Sequence, residues 1–173
     1  HYVDHLRKIL PRVDRLAGSR VVIDCANGAT TTVAPQLFRD LGFEVVVYGD
    51  APDGRNINLQ CGSTHLDLLQ KKVVDHAARL GVAFDGDGDR ALFVHHHGRR
   101  VDGGGVPLPS GVHLQRENRL PGTAVVATVM SNIGLELALR DRQIDLLRAP
   151  VGDKYVMERM QARGIALGGE QSG

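Results

Sequence analysis

The sequence predicts an α/β fold made of two successive layered units, each with a mixed, mostly parallel sheet. Short apolar runs of strand length alternate with segments whose apolar residues recur at helical spacing. This alternation occurs twice, and a stretch rich in proline and glycine, residues 103–122, is predicted to be the linker between the two occurrences. We therefore expect one domain over residues 1–104 and a second over residues 105–173, the second incomplete because its last strand runs to the end of the chain.

Two amphipathic helices are expected between the strands of the first unit. Its predicted strands are residues 20–25, 44–48, 82–84 and 92–94. The first helix should carry Pro35 in its first turn, where a missing N–H is harmless, and should end at Gly42. The second is predicted to open with a capping box at Thr64 and Asp67 and to end at Gly81. One face of the second helix carries five apolar residues, Leu66, Leu69, Val73, Ala77 and Leu80.

The second unit repeats this strand and helix order. Its predicted strands are residues 123–130, 145–149 and 165–168. Ser131 is predicted to cap a helix containing Ile133, Leu137 and Leu139, and a further helix should run from Asp153 to Arg163. Before them, Pro107, Pro109 and Gly111 are predicted to prevent an intact helix, because proline in a helix interior costs about 3 kcal/mol.

Composition excludes several functional classes. The 21 basic and 20 acidic residues nearly balance, and the aromatic residues are few, so neither nucleic acid nor an anionic membrane is expected as a partner. No apolar run approaches the roughly 18 residues of a membrane span, and the first residues lack the apolar core of a signal peptide. Cys25 and Cys61 have no metal-ligand spacing and are expected to be reduced thiols of a cytoplasmic protein. Because no initiator Met is present, we expect a trimmed or partial chain.

The strongest chemical signal is the run Asp85-Gly86-Asp87-Gly88-Asp89-Arg90, directly after an apolar strand. Glycine permits the tight turn that would bring three carboxylates together, and their mutual repulsion calls for a cation. Hard oxygen ligands suit Mg²⁺ or Ca²⁺ and do not suit zinc. An EF-hand is excluded because its sixth and twelfth positions would hold Arg90 and His96. A solvated acidic turn is the alternative without a function.

With these residues in place, the chain resembles the α-D-phosphohexomutases over nearly its whole length. The run from Phe84 to Arg90 resembles their metal-binding loop, and residues 169–173, Gly-Glu-Gln-Ser-Gly, resemble their sugar-binding loop. Alone, the second run would be interpreted as a surface turn, but the pair in this order is far more specific. Further segments resemble the phosphoglucosamine mutase branch, namely residues 24–29, 56–58, 61–65, 128–132 and 151–153.

The resemblance implies a four-domain enzyme in which a phosphoserine on domain 1 exchanges a phosphoryl group with a hexose phosphate through a bisphosphate. This chain would correspond to domain 2 and most of domain 3, without domains 1 and 4, and would be inactive alone. Asp85, Asp87 and Asp89 would hold Mg²⁺, and Arg90 would stabilise the transferring phosphate, with a structural salt bridge as its alternative role.

The resemblance also implies a substrate and its ligands. Glu170 and Ser172 would bind sugar hydroxyls, and Asp153 and Lys154 would also contact the substrate, where the branch usually has Arg instead of Lys154. Glucosamine phosphate is the expected substrate. A phosphomannomutase or phosphoglucomutase, and a non-catalytic module that binds metal and sugar phosphate, are the alternatives.

Overall fold

Apolar five-residue strands form the framework of the first unit, which extends to Arg100. The computed structural model describes residues 2–10, 16–101 and 105–170. The strands of its sheet are β1 (Arg20–Asp24), β2 (Glu44–Tyr48), β3 (Leu80–Phe84), β4 (Ala91–His95) and β5 (Arg100–Val101). Their order across the sheet is β2-β1-β3-β4-β5. Strand β1 is parallel to both of its neighbours, β2 and β3, whereas β4 is antiparallel to β3.

Helices α2 (Ala34–Asp40) and α3 (Asp67–Asp75) cover the two faces of this sheet, and α1 (Tyr2–Ile9) precedes the first strand. Because side chains alternate along a strand, β1 sends Val21 and Ile23 to the face that packs against α2, and Val22 to the face that packs against α3. Pro35 lies in the first turn of α2, as the sequence predicted.

The predicted boundaries of α3 were wrong at both ends. The residue that precedes the helix is Leu66, and no side chain caps it, so the capping box of Thr64 and Asp67 does not form. The helix ends at Asp75, Ala77 adopts a positive φ of 48°, and Leu80 begins β3 instead of continuing the helical face. Pairing of Leu80 with the central strand outweighs the helical spacing of the apolar residues, since tertiary contacts override local preference.

A three-stranded parallel sheet forms the centre of the second unit. Its strands are β6 (Ala124–Thr128), β7 (Asp145–Ala149) and β8 (Gly168–Gly169), and their order across the sheet is β7-β6-β8. Its helices are α4 (Pro107–Arg116), α5 (Ile133–Arg140) and α6 (Asp153–Arg163). α4 and α5 pack on one face of β6 and α6 on the other, so the predicted α/β class with mostly parallel sheets is confirmed.

Helix α4 contradicts the prediction that residues 103–122 form a linker without an intact helix. Pro107 is its first residue and Pro109 its third, and N–H groups in the first turn have no partner within a helix, so neither proline removes a hydrogen bond. Gly111 is buried, and a Cβ added there would lie 3.2 Å from Cγ2 of Val125 on β6. The helix therefore packs closely on the second sheet and belongs to the second unit.

Two smaller predictions in the second unit also failed. Asn132, not Ser131, caps α5, because its Oδ1 accepts a hydrogen bond from Leu135 N at 2.8 Å. The last strand begins at Gly168 and not at residue 165. The limits of α6 match the prediction, with Gly164 in the left-handed conformation after it. Within the described residues, no helix is both long and apolar enough to cross a membrane.

Candidate metal and sugar-phosphate sites

The candidate metal loop lies at the carboxyl edge of the parallel strands of the first sheet. The chain leaves β1 toward β2 on one side and later returns to β3 on the other, which makes the β1–β3 junction a topological switch point. Loops that follow such neighbouring strands diverge and leave a crevice for ligands. The loop after β1 begins at Cys25, and the loop after β3 begins at Asp85.

Three carboxylates converge in the second of these loops. One oxygen from each of Asp85, Asp87 and Asp89 lies within 4.8 Å of the others. Asp85 is half-buried, and the other two side chains are exposed. Opposite ligands of Mg²⁺ are about 4.2 Å apart, so a small closure of the triad would bring three hard oxygen ligands to one ion. The residues present therefore fit a small divalent cation.

Backbone hydrogen bonds fix Asp85 more firmly than its neighbours. Its Oδ1 accepts hydrogen bonds from the N–H groups of Gly88 and Arg90, both at 3.1 Å. Burial acts to raise the pKa of Asp85, but the hydrogen bond with Asp89 and these backbone donors outweigh it and leave the pKa below its ordinary value. The same hydrogen bond raises the pKa of Asp89, with burial and the negative charges of Asp85 and Asp87 adding to the effect. This is the pattern of crowded carboxylates that a cation would relieve.

The Arg90 guanidinium lies beside the triad without a close contact to it. Its Nε is 3.8 Å from Asp85 Oδ2 and 3.9 Å from Asp89 Oδ1, and about half of the side chain is exposed. Both distances exceed hydrogen-bond range, and exposed pairs of this kind contribute little to stability. The geometry leaves the guanidinium able to turn toward an anion bound at the loop.

Two neighbouring loops form backbone hydrogen bonds with the candidate metal loop. Ala29 N donates to Gly86 O at 2.9 Å, and Ser63 N donates to Phe84 O at 3.0 Å. Gly28 lies so close to Gly86 that an added Cβ would be 2.8 Å from the Gly86 carbonyl carbon. Sequence reasoning did not assign a role to Gly28, because nothing local shows which loops become neighbours.

The candidate sugar-binding residues lie at the carboxyl edge of the second sheet. Glu170 follows β8, and its Oε2 accepts a hydrogen bond from Gly152 N at 3.1 Å. Gly152 precedes α6, so the structure brings Glu170 to the segment that carries Asp153 and Lys154. Ser172, the other predicted sugar ligand, lies outside the described residues.

Asp153 and Lys154 are both exposed in the first turn of α6. Asp153 Oδ1 accepts a hydrogen bond from Lys154 N at 2.6 Å. The Lys154 ammonium lies 3.9 Å from Glu158 Oε1, one helical turn away, which is an exposed pair that a stronger anion can displace.

Arg148 forms several contacts at the carboxyl edge of the second sheet, and the sequence interpretation assigned it no role. Its guanidinium forms an ion pair with Glu136 at 2.8 Å and donates to Ser131 O at 3.1 Å. The hydrogen bond from Arg148 lowers the pKa of Glu136. These contacts tie the loop after β6 to β7, and they could not be found locally because they depend on the register of the two strands.

Comparisons with known families agree with this architecture. Residues 1–98 match the description "Phosphoglucomutase/phosphomannomutase, alpha/beta/alpha domain II", and residues 110–173 match that of domain III. The chain therefore belongs to the phosphoglucomutase/phosphomannomutase family, which the sequence predicted as the α-D-phosphohexomutases.

Curated relatives within the family point to one branch. A phosphoglucosamine mutase of Pseudomonas paraeruginosa is 51% identical over 99% of this chain and 38% of its own length. One from Solibacter usitatus is 55% identical over 92% of this chain and 36% of its own length. The chain thus spans under two fifths of the curated relatives it matches.

Solved structures share the fold over the same region. A phosphoglucomutase/phosphomannomutase family protein from Burkholderia thailandensis has a TM-score of 0.86 and 26% identity over 99% of this chain and 37% of its own. The Aspergillus fumigatus N-acetylphosphoglucosamine mutase, solved with GlcNAc-6P and magnesium, has a TM-score of 0.71 and 19% identity, covering 91% of this chain and 33% of its own.

Proposed function

We propose that this chain provides the metal-binding and sugar-binding domains of a phosphosugar mutase that interconverts glucosamine 6-phosphate and glucosamine 1-phosphate. The observation that carries the proposal is identity of about one half to relatives named phosphoglucosamine mutase, over 99% of the chain for the Pseudomonas paraeruginosa protein. The converged triad of Asp85, Asp87 and Asp89 adds the chemistry that phosphoryl transfer needs. Reactions of glucose or mannose phosphates are the alternatives within the family.

In this proposal the three aspartates hold Mg²⁺, and Arg90 is the second cationic group of the site. Mg²⁺, when bound, supplies a Lewis acid and a template at the phosphoryl group. Arg90 would turn from its loose contacts with Asp85 and Asp89 toward the phosphate, where a guanidinium can donate two parallel hydrogen bonds.

Glu170, with Ser172, would orient the sugar, and Lys154 would contribute a point charge toward a phosphate. Asp153 would hold the first turn of α6 in place through its hydrogen bond to Lys154 N. The protonated amine of glucosamine would form a charge-assisted hydrogen bond with the Glu170 carboxylate, which glucose cannot form, and the site would therefore favour glucosamine.

The phosphoryl donor of the proposed reaction is a phosphoserine on a domain that corresponds to none of this chain, with a bisphosphate as the intermediate. We infer that the 173 residues alone do not turn over substrate. Two buried thiols fit a reducing, cytoplasmic setting, and burial raises the pKa of Cys25 to about 11, which keeps it unreactive.

Asp87→Asn is expected to abolish stabilisation of the first unit by Mg²⁺. A site lacking the phosphoserine oxygen should bind Mg²⁺ with a dissociation constant on the order of millimolar, because this ion surrenders its waters reluctantly. At ten times that concentration, mass action stabilises the folded chain by about 1.4 kcal/mol. Thermal melts with and without Mg²⁺ at matched ionic strength measure the difference.

The matched control is Asp145→Asn, which removes an exposed carboxylate from the second unit and should keep the full Mg²⁺ response. Asp87→Asn should also melt slightly higher than the parent without metal, since one of three crowded charges is gone. An unchanged Mg²⁺ response in Asp87→Asn would show that the triad is only an acidic turn.

Glucosamine 6-phosphate is expected to perturb the NMR signal of the Gly152 amide at lower concentration than glucose 6-phosphate or mannose 6-phosphate. This amide donates to Glu170, so it reports directly on the carboxylate. Glu170→Gln retains an acceptor oxygen but loses the charge, and it should therefore remove the preference for the amino sugar. Equal responses to the three sugar phosphates in the parent chain would remove the glucosamine assignment and leave the family intact.

A further inference from the structure

Asp24 is a buried carboxylate that the proposed reaction does not use directly. It ends β1, and its side chain has no exposed surface. Its Oδ1 accepts a hydrogen bond from Ala26 N at 2.9 Å, and its Oδ2 accepts one from Gly62 N at 2.6 Å. A buried charge is costly unless such donors satisfy it, so a residue of this kind at the end of an apolar strand calls for an explanation.

The two donors belong to different loops. Ala26 lies in the loop after β1, and Gly62 lies in the loop that precedes α3, 38 positions away from Asp24. The loops also contact each other, because Asn58 N donates to Ala26 O at 2.9 Å. One carboxylate therefore joins both loops, with one oxygen for each.

These are the same two loops that support the metal loop. From the first, Ala29 N donates to Gly86 O, and from the second, Ser63 N donates to Phe84 O. Gly86 itself is buried, and an added Cβ would lie 2.8 Å from Asn58 Nδ2. A chain of direct contacts thus runs from Asp24 to the backbone on both sides of Asp85.

The backbone around Asp24 is shaped to bring groups close to it. Ala26 and Asn27 have positive φ angles of 53° and 49°, a conformation that side chains with a Cβ adopt at a cost. A Cβ added to Gly49 would lie 2.7 Å from Asp24 Oδ1. Burial raises the pKa of Asp24, and the hydrogen bonds from Ala26 and Gly62 oppose that rise.

We propose that Asp24 is a positioning residue for the metal loop: its buried carboxylate fixes the loops that contain Ala26 and Gly62, and they hold the backbone at Phe84 and Gly86. The proposal rests on the metal-binding role of the aspartate triad, but Asp24 is not a ligand. A carboxyl group is required because two N–H donors approach two different oxygens. An amide at this position has one acceptor oxygen and must turn its NH₂ group toward one of the donors.

Asp24→Asn tests the proposal without metal through amide hydrogen exchange. The amides of Ala29 and Ser63 should exchange at least about tenfold faster relative to the central-strand amides of Val22 and Val82, because a buried donor is left without an acceptor. A tenfold change corresponds to about 1.4 kcal/mol. In titrations with Mg²⁺ alone, the dissociation constant should rise by at least about tenfold, which is the same free energy expressed in binding.

Val94→Ala is the matched control for general destabilisation. Val94 is fully buried in the same unit on β4 and contacts neither loop through the hydrogen bonds described above. Its replacement should accelerate the exchange of every amide that is exposed by unfolding. The ratio of exchange rates between the loop amides and the strand amides should stay unchanged, and so should the Mg²⁺ dissociation constant. A merely structural role for Asp24 predicts that the two variants behave alike.

The outcomes separate this inference from the proposed function. If the ratio in Asp24→Asn equals that of the parent, Asp24 does not position the loop, whatever the parent does with Mg²⁺. If the parent lacks a Mg²⁺ response, the metal site is wrong, and the exchange ratio still decides whether Asp24 orders the loop. If the Asp24→Asn variant fails to fold, amide exchange in the parent chain tests the proposal. The amides of Ala26 and Gly62 must then exchange as slowly as that of Val22, and rapid exchange of either would overturn the proposal.

Discussion

Gly28→Ala is expected to lower the free energy of unfolding of the first unit by about 3 kcal/mol, the upper part of the usual range for overpacking, and to remove its response to Mg²⁺. Gly28 has φ −119° and ψ −159°, an extended conformation that any residue can adopt. The requirement for glycine is therefore spatial. An added Cβ would lie 2.8 Å from both the Cα and the carbonyl carbon of Gly86 and closer still to its carbonyl oxygen.

The clash cannot be relieved by a rotamer change, because the atoms it meets belong to the backbone of the metal loop. Relief requires the loops after β1 and β3 to separate, which breaks the hydrogen bond from Ala29 N to Gly86 O and shifts the residue between Asp85 and Asp87. Urea unfolding followed by NMR signals of the first unit, with and without Mg²⁺, measures both effects.

Gly169→Ala is the matched control for this change. Gly169 lies in β8 of the second unit, and a Cβ added there would meet no atom within 4 Å. Its replacement should change stability by no more than about 0.5 kcal/mol, as expected for a substitution that creates no clash. Equal stability of Gly28→Ala and the parent would mean that the close approach of the two loops is not present in solution.

The convergence of the three aspartates could be predicted from the sequence because the information for it is local. Asp85, Asp87 and Asp89 alternate with glycine directly after an apolar strand, and no knowledge of distant residues is needed to expect their convergence. The support of the metal loop is not local. Asp24 and Gly28 acquire their roles only because β1 is paired with β3, and the order of strands in a sheet is not written in any one segment.

The helix boundaries, too, could be predicted only where the information for them is local. α6 was predicted with its correct limits because Gly164 marks its end and no other element competes for its residues. α4 was rejected because Pro107 and Pro109 were assumed to lie in a helix interior, whereas both lie in the first turn. The position of a proline within a helix depends on where the helix begins, which is the least certain part of an assignment from sequence.

The buried face of α5 is defined only by the structure. The sequence interpretation placed Ile133, Leu137 and Leu139 in this helix without assigning a buried face, and the side chains that pack beneath the helix are Leu135 and Leu139. Ile133 is 63% exposed and Leu137 is 48% exposed. Leu135 and Leu139 are four residues apart and therefore lie one above the other on one face of the helix.

Leu139→Ala is consequently expected to lower the free energy of unfolding of the second unit by about 3 kcal/mol, whereas Leu137→Ala should cost well under 1 kcal/mol. Leu139 has no exposed surface and packs with Val125 and Ile144, so its truncation removes buried methyl groups and leaves a cavity. The two variants make the same chemical change on the same helix, two positions apart, so helix propensity cancels between them. Urea unfolding followed by NMR signals of β6 and β7 measures each loss, and equal losses for the two variants would contradict the different burial of Leu137 and Leu139.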